Sequence, residues 1–154
     1  MAPEQENNEE THSIHQPCPD CGFELYTVIK TLPTSTLGLY NDARFPGRCI
    51  LTLNKHYDNL EELESNELND YMQEIVHVTK AMKKALQVER VNLAILGNTV
   101  SHVHAHLIPR YPNQEEFPNK SPWNDKRTLV KLSDLEVKNL TGEIGFQLNN
   151  SLNC

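Results

Sequence analysis

The sequence has little of what a nucleic-acid-binding or membrane protein needs. Its 154 residues include 14 basic against 21 acidic side chains, which gives a formal net charge of −7, and they contain no basic run. A protein that neutralises a phosphate backbone needs clustered lysine and arginine, so general nucleic-acid binding is not expected. The apolar stretches, such as residues 91–96, are much shorter than the ~18 residues of a membrane span. We therefore expect a soluble protein without either kind of partner.

The first 16 residues have no aromatic side chain and one sizeable aliphatic residue, Ile14. Such a segment cannot bury enough apolar surface to offset the entropy of ordering it, so residues 1–16 are predicted to form a disordered acidic tail. Secretory and transit segments are basic and then apolar or amphipathic, and the contrast predicts a cytoplasmic protein. The length of the remainder predicts a single domain over residues 17–150.

The clearest predicted element is an amphipathic helix from Ser65 to Leu86, in which apolar residues recur at steps of three and four. Ser65 is its predicted N-cap. Shorter apolar runs predict strands over residues 26–31, 37–40, 49–53, 91–96 and 102–108, and a final helix is predicted over Ser133 to Leu148. Strands, a long helix and then a hairpin predict an α+β domain, with an antiparallel sheet and the long helix packed on one face.

Three histidines, His102, His104 and His106, alternate with apolar residues in one predicted strand. Because side chains alternate along a strand, the imidazoles are expected to line one face while the aliphatic residues enter the core. Each imidazole has two ring nitrogens that need a hydrogen-bond partner or solvent, so three in a row are poorly suited to packing alone. The pattern predicts a chemical site on this face.

The run from His102 to Ile108 resembles the H-x-H-x-H-x-x signature of the histidine triad (HIT) family of nucleotide hydrolases and transferases. The likeness is not confined to that motif. The stretch Phe45 to His56 is similar to the family's Pro-Gly strand and the turn after it, and residues 97–99 match the polar loop before the triad. The resemblance extends over about residues 18–111.

The resemblance implies a homodimeric α+β protein that binds a nucleotide, expected to be a purine nucleotide, and attacks its α-phosphorus. His104 would be the nucleophile and would form a nucleotidyl-histidine intermediate from a dinucleoside polyphosphate or a nucleoside phosphoramidate, since a neutral imidazole is a good nucleophile near neutral pH. His106 would contact the phosphate or the leaving-group oxygen. Asn98 and Thr99 would hydrogen-bond the phosphate, although both also suit an ordinary polar turn.

Two further residues are assigned by their position in the resemblance. Asp42, in the turn before the Pro-Gly strand, is the candidate for binding the ribose hydroxyls, and a turn-forming role is the alternative. Arg48 stands directly after Pro46 and Gly47, where many members have a fourth histidine. An arginine can bind phosphate but cannot act as an acid or base at neutral pH, so this difference bears on the choice of leaving group.

The pair Cys18-x-x-Cys21 has a spacing that suits either a zinc knuckle or a redox dithiol. A strand-like run follows it, whereas a redox motif should open a helix, so zinc is favoured. A structural zinc site needs two more ligands, and the best candidates are His56 and His102. This set matches the zinc-containing members of the family, in which the first histidine of the motif is a ligand and the second is catalytic. An ordinary turn role for His56 stays open.

Two other functions remain open at this stage. In a zinc-dependent hydrolase, two or three of the triad histidines would be catalytic metal ligands, which would leave the cysteine pair unexplained. In a non-catalytic nucleotide-binding module the zinc would be purely structural, and the module would have no need of His104. Turnover, and its sensitivity to chelators, separates these alternatives from the nucleotidyl-histidine enzyme.

Overall fold

A computed structural model describes residues 16–152 of the chain. Most of the predicted acidic tail lies outside these residues, so that prediction stays a prediction. The secondary-structure elements are β1 (Val28–Thr31), β2 (Ser35–Leu39), β3 (Cys49–Leu53), α1 (Ser65–Leu86), β4 (Val91–Ala94), β5 (His104–Pro109) and α2 (Asp134–Leu152).

The strands of the described residues form one antiparallel sheet in the order β1-β2-β3-β5-β4. Strand β5 therefore lies inside the sheet, where Ile50 of β3 and Ala94 of β4 are the cross-strand partners of His106. The predicted hairpin is the β4–β5 pair. This order places the histidine strand beside the strand that follows Pro46 and Gly47, although some 50 residues separate them in the chain.

The core lies between one face of this sheet and the two helices. Tyr71 and Val78 of α1 are fully buried against Leu51 and Leu107 of the sheet, and the Tyr71 hydroxyl donates a hydrogen bond to the Leu51 carbonyl at 2.7 Å. Helix α2 packs beside α1 and against β1. The predicted α+β fold, with an antiparallel sheet and the long helix on one face, is confirmed. No helix within residues 16–152 has both the length and the apolarity to cross a membrane.

Several ends and caps of helices and strands differ between the sequence prediction and the structure. Helix α1 has the predicted bounds, but Glu64 is its N-cap and makes no side-chain cap hydrogen bond, so the prediction of Ser65 as N-cap was wrong. The predicted last helix extends to Leu152, and its Ser133 hydroxyl accepts a hydrogen bond from the Glu136 backbone N–H at 3.2 Å. The histidine strand begins two residues later than predicted, since His102 precedes β5.

The segment before β1 crosses the face of the sheet opposite the helices. It starts with a tight turn in which the Gly22 backbone N–H donates to the Cys18 carbonyl at 2.7 Å, and Gly22 has a φ of 75° that suits glycine. Beyond the turn, the side chain of Leu25 covers Gly38 of β2 so closely that a Cβ there would approach it to 3.1 Å. The predicted first strand is shortened to Val28–Thr31 because the preceding residues follow this path.

Candidate active site and metal centre

The three histidines project from the face of the sheet opposite the helices, while Val103, Ala105 and Leu107 enter the core between sheet and helices. The alternation expected from the sequence is therefore present. The imidazoles are less accessible than a surface row would be, because His102 is 1% exposed and His104 is 8% exposed.

Phe23 covers this face of the histidine strand. Its ring stacks on His102 with the centroids 5.3 Å apart and on His104 with the centroids 5.2 Å apart. A cavity of about 220 Å³ is lined by His104 together with residues 58–61, 95–97 and Val103. A ligand in this cavity would lie next to His104.

The hydrogen bonds of His104 fix its tautomer. Its Nδ1 lies 2.6 Å from the backbone carbonyl oxygen of His102. A carbonyl can only accept, so Nδ1 carries the hydrogen and Nε2 keeps its lone pair. The ring of His106 meets that of His104 edge to face, with centroids 5.1 Å apart. In its neutral form the ring therefore has its lone pair on Nε2, and a second imidazole lies beside it.

Four potential metal ligands meet next to the start of β5. They are Cys18, Cys21, His56 and His102, whose ligand atoms all lie within 4.8 Å of one another. The Sγ of Cys18 lies 3.6 Å from Nδ1 of His56, and the Sγ of Cys21 lies 3.6 Å from Nδ1 of His102. In a tetrahedral site with bonds of about 2.3 Å to sulfur and about 2.1 Å to nitrogen, neighbouring sulfur and nitrogen ligands are also about 3.6 Å apart.

The outer nitrogens of the two histidines support the same interpretation. His56 donates from Nε2 to the Asp58 carboxylate at 2.9 Å, and His102 donates from Nε2 to the Leu53 carbonyl at 2.8 Å. Both rings therefore direct an Nδ1 lone pair into the cluster, and the two Nδ1 atoms are 3.3 Å apart. Two lone pairs that face each other at this distance repel unless a proton or a metal ion lies between them. These residues fit a tetrahedral metal ion, and His102 is the only triad histidine in the cluster.

Arg48 contacts His106 from the neighbouring strand. Its Nη2 lies 3.3 Å from Nδ1 of His106, and its guanidinium carbon lies 4.0 Å from the centroid of the Tyr40 ring. Burial, assisted by the charge of Arg48, lowers the pKa of His106 to about 4. His106 is therefore neutral near pH 7.

Asp42 lies behind Arg48 and is fully buried. Its carboxylate accepts hydrogen bonds from Arg44, at 3.0 Å and 2.9 Å, and from Nη1 of Arg48 at 3.2 Å. Burial opposes its ionisation, but hydrogen bonds and charges from Arg44 and Arg48 hold the pKa of the carboxyl below its usual value. Ribose binding by Asp42 stays a prediction, since in this structure its oxygens are occupied by the two guanidinium groups.

The structure does not bring every predicted residue to the histidines. Asn98 and Thr99 are exposed in the loop between β4 and β5, and neither side chain makes a recorded hydrogen bond to a triad histidine within the described residues. Gly97 of the same loop does line the cavity at His104. The role of Asn98 and Thr99 in phosphate binding therefore stays a prediction.

Two aromatic residues at the site, Phe23 and Trp123, were not predicted from the sequence. Phe23 follows Cys21 by two residues, and Trp123 packs edge to face on His106 with centroids 5.9 Å apart. Trp123 is the only tryptophan in the chain, and 52% of its surface is exposed. The presence of a single tryptophan in a proline-rich segment could have marked this residue as a candidate for the site. The sequence alone, however, does not show which strand that segment covers.

Comparison with protein families and known proteins identifies relatives of this chain. A family model of the HIT domain matches residues 26–113. An uncharacterized HIT-like protein of Methanocaldococcus jannaschii is 29% identical over 77 residues, a match that covers 47% of this chain and 60% of that protein. The matched region thus spans less than two thirds of the length of this curated relative.

Solved structures share the fold. A histidine triad protein from Bradyrhizobium japonicum has a TM-score of 0.72 at 24% identity, covering 79% of this chain and 89% of that one. A diadenosine triphosphate hydrolase from Plasmodium falciparum, in complex with cyclomarin A, has a TM-score of 0.60 at 20% identity, covering 94% of this chain and 88% of that one. A Zn-bound histidine triad family protein from Mycobacterium smegmatis has a TM-score of 0.57 at 18% identity, covering 80% of this chain and 86% of that one.

Proposed function

The chain belongs to the HIT domain family, and we propose that it is a nucleotide hydrolase or nucleotidyl transferase that acts at the α-phosphorus through a nucleotidyl-histidine intermediate. The observation that carries this proposal is the hydrogen bond from Nδ1 of His104 to the His102 carbonyl. In the neutral imidazole it leaves the Nε2 lone pair as the nucleophile, on a residue that lines a cavity.

The reaction follows from the two neighbouring imidazoles. The Nε2 lone pair of His104 forms a bond to the α-phosphorus, and the bond from phosphorus to the leaving group breaks with its electrons on that group. The positive charge that develops on His104 is stabilised because its Nδ1–H points at a carbonyl oxygen. Water then attacks phosphorus, the electrons of the P–N bond return to Nε2, and the proton of the water passes to solvent. His106 contacts the departing group.

The ion held by Cys18, Cys21, His56 and His102 is proposed to be zinc. Two thiolates and two imidazoles are a preferred donor set for a structural zinc, and four protein ligands leave no coordination position for substrate. When bound, it would link the N-terminal turn to the residue whose carbonyl orients His104. The alternative in which the triad histidines form a catalytic metal site receives no support from the cluster of potential ligands, which includes His102 but neither His104 nor His106.

The assembly and substrate are proposed with the same enzyme. We propose a homodimer that binds a purine nucleotide in the cytoplasm, without nucleic acid or membrane. Strand β4 at the edge of the sheet carries the half-exposed Leu93, which is a surface suited to a second copy. Light scattering after gel filtration tests the dimer, and nucleotides with different bases test the preference for purine.

The decisive experiment concerns His104. His104→Ala should lower turnover by at least about 10³-fold and abolish covalent labelling by a substrate radiolabelled at the α-phosphate, because no covalent intermediate can form. The label is measured after an alkaline quench, since the P–N bond of a nucleotidyl-histidine is stable in alkali and hydrolyses in acid. Metal content and nucleotide affinity should stay near those of the wild type. His77→Ala, on helix α1 and away from this face, is the matched control. Near-normal turnover by His104→Ala would refute the assignment, and absence of turnover by the metal-loaded wild type would indicate a binding module.

A further inference from the structure

The contact between Arg48 and His106 fixes the tautomer of the second imidazole. Nη2 of Arg48 lies 3.3 Å from Nδ1 of His106. A guanidinium has five N–H donors and no acceptor, so in this contact Nδ1 of His106 must be the acceptor. The ring hydrogen of the neutral imidazole is therefore on Nε2. His106 can offer one hydrogen bond from Nε2 to a departing atom.

Arg48 is held firmly in this position. Its guanidinium carbon stacks 4.0 Å over the Tyr40 ring, Nη1 donates to Asp42 at 3.2 Å, and its side chain is 8% exposed. The Asp42 carboxylate is shared with Arg44, so one negative charge faces two guanidinium groups. In addition, the buried Nε of Arg48 has no hydrogen-bond partner among the described residues. The environment of His106 thus carries an uncompensated positive charge and an unused donor.

The neutral state of His106 and the positive charge beside it favour one class of leaving group and disfavour another. A neutral His106 with its Nδ1 occupied would have to become an imidazolate in order to give up its proton, so it can donate a hydrogen bond but is a poor general acid. An amine that leaves from phosphorus needs a proton on its nitrogen as the P–N bond breaks. A phosphate chain or sulfate leaves as an oxyanion and needs no proton, and a nearby positive charge stabilises it.

We propose that Arg48 determines leaving-group specificity by holding His106 as a neutral hydrogen-bond donor, so that the enzyme prefers substrates whose leaving group departs as an oxyanion. This proposal rests on the proposed function. In the step concerned, the P–O bond breaks and both electrons stay on the leaving oxygen. That oxyanion accepts a hydrogen bond from Nε2–H of His106, the charge of Arg48 stabilises it, and no proton is transferred.

The kinetic test compares three substrates that carry the same nucleotide. They are a diadenosine polyphosphate, adenylyl sulfate and an adenosine phosphoramidate, which release a nucleotide, sulfate and an amine. The wild type should have a kcat/KM for the first two at least about 100-fold above that for the phosphoramidate. The first two also distinguish a phosphate chain from sulfate as the preferred oxyanion.

Arg48→His is the key variant because it places a second imidazole beside His106 and removes the fixed positive charge. The ratio of kcat/KM between oxyanion and amine leaving groups should fall at least about 10-fold, even where all rates fall together. Arg48→Lys retains the charge, so this ratio should fall less in Arg48→Lys than in Arg48→His. Arg90→His makes the same change at an exposed position and should leave the ratio unaltered.

A second measurement does not depend on turnover. Nitrogen-15 NMR of the metal-loaded wild type should show His106 as the Nε2–H tautomer near neutral pH, and Arg48→His should alter its Nδ1 signal while Arg90→His does not. A ratio unchanged in Arg48→His, or a His106 found as the Nδ1–H tautomer in the wild type, would overturn the specificity proposal while the nucleotidyl-histidine mechanism could stand. Failure to turn over any substrate would instead overturn the proposed function, together with the specificity built on it.

Discussion

The ring of Phe23 stacks on the ring of His104 at a centroid distance of 5.2 Å and an angle of 24°. Phe23 comes two residues after Cys21, one of the four residues of the metal-binding cluster. The segment that the cluster ties to the sheet therefore also covers the proposed nucleophile. We therefore expect metal binding and the orientation of His104 to be coupled through this short segment, and the coupling can be tested from both ends.

Phe23→Ala should lower kcat about 10-fold and leave metal content unchanged. The ring contributes stacking to His102 and His104, and one aromatic contact of this kind amounts to about 1 kcal/mol, but Phe23 supplies no ligand atom. Steady-state kinetics together with metal analysis test this. Tyr26→Ala is the matched control, because Tyr26 lies in the same segment and is 93% exposed. An equal loss in both variants would argue against a specific role for the Phe23 ring.

Cys18→Ser and Cys21→Ser should each reduce bound zinc from about one ion per chain and lower the melting temperature. The free energy of metal binding adds to the free energy of folding, so zinc content and melting temperature should fall together. Cys49→Ser is the control, since Cys49 is fully buried in the core and should cost stability without loss of metal. Elemental analysis of protein purified without chelator provides the measurement, and a wild type without zinc would contradict the prediction.

Asp42→Asn should lower the free energy of unfolding by roughly 3 kcal/mol, because it leaves the buried guanidinium group of Arg48 and the partly buried one of Arg44 without their carboxylate. It should also lower activity, since Arg48 loses one of its anchors. If Asp42 acts by positioning Arg48, the loss of activity should be equal for ribonucleotide and 2′-deoxyribonucleotide substrates. A loss confined to the ribonucleotide would instead support the role predicted from sequence, which is binding of the ribose hydroxyls.

The stability of the protein should fall on acidification partly because of His106. Its pKa is lowered from 6.5 to about 4 in the folded protein, so between these values the unfolded chain binds more protons. The free energy of unfolding therefore decreases as the pH falls from about 6.5 to about 4. The drop in melting temperature between about pH 7 and about pH 5 should be smaller for His106→Asn than for the wild type. Other groups titrate in both proteins, and an equal drop would disprove this contribution.

Removal of residues 1–16 should leave zinc content, melting temperature and turnover nearly unchanged. The sequence of this segment has almost no apolar surface to pack, and the four proposed ligands lie beyond it. Metal analysis and a thermal melt of the shortened chain are sufficient tests. Loss of zinc on truncation would identify His12 or His15 as a ligand.

The elements with strong local patterns could be predicted from the sequence. Helix α1 has the predicted bounds, Ser65–Leu86, because its apolar residues recur with the helical period over six turns. Strand β3 has the predicted bounds, Cys49–Leu53, because turn-forming residues flank its apolar run. The family was recognisable for a related reason, since its signature occupies one short segment and needs no knowledge of distant contacts. The ends of the short strands moved because hydrogen bonds to neighbouring segments set them.

Only the tertiary structure decided what surrounds each histidine. The sequence supplies His102, His104 and His106 at alternating positions, but the order of the strands brings Arg48 to His106 and leaves Asp42 buried behind it. It also brings the N-terminal turn across the sheet, so that Cys21 reaches His102 from 81 positions away and Phe23 covers His104. Periodicity and motif spacing reflect interactions within a few residues along the chain. The tautomers and the metal-binding geometry depend instead on contacts between distant segments, which form only when the sheet closes around its core.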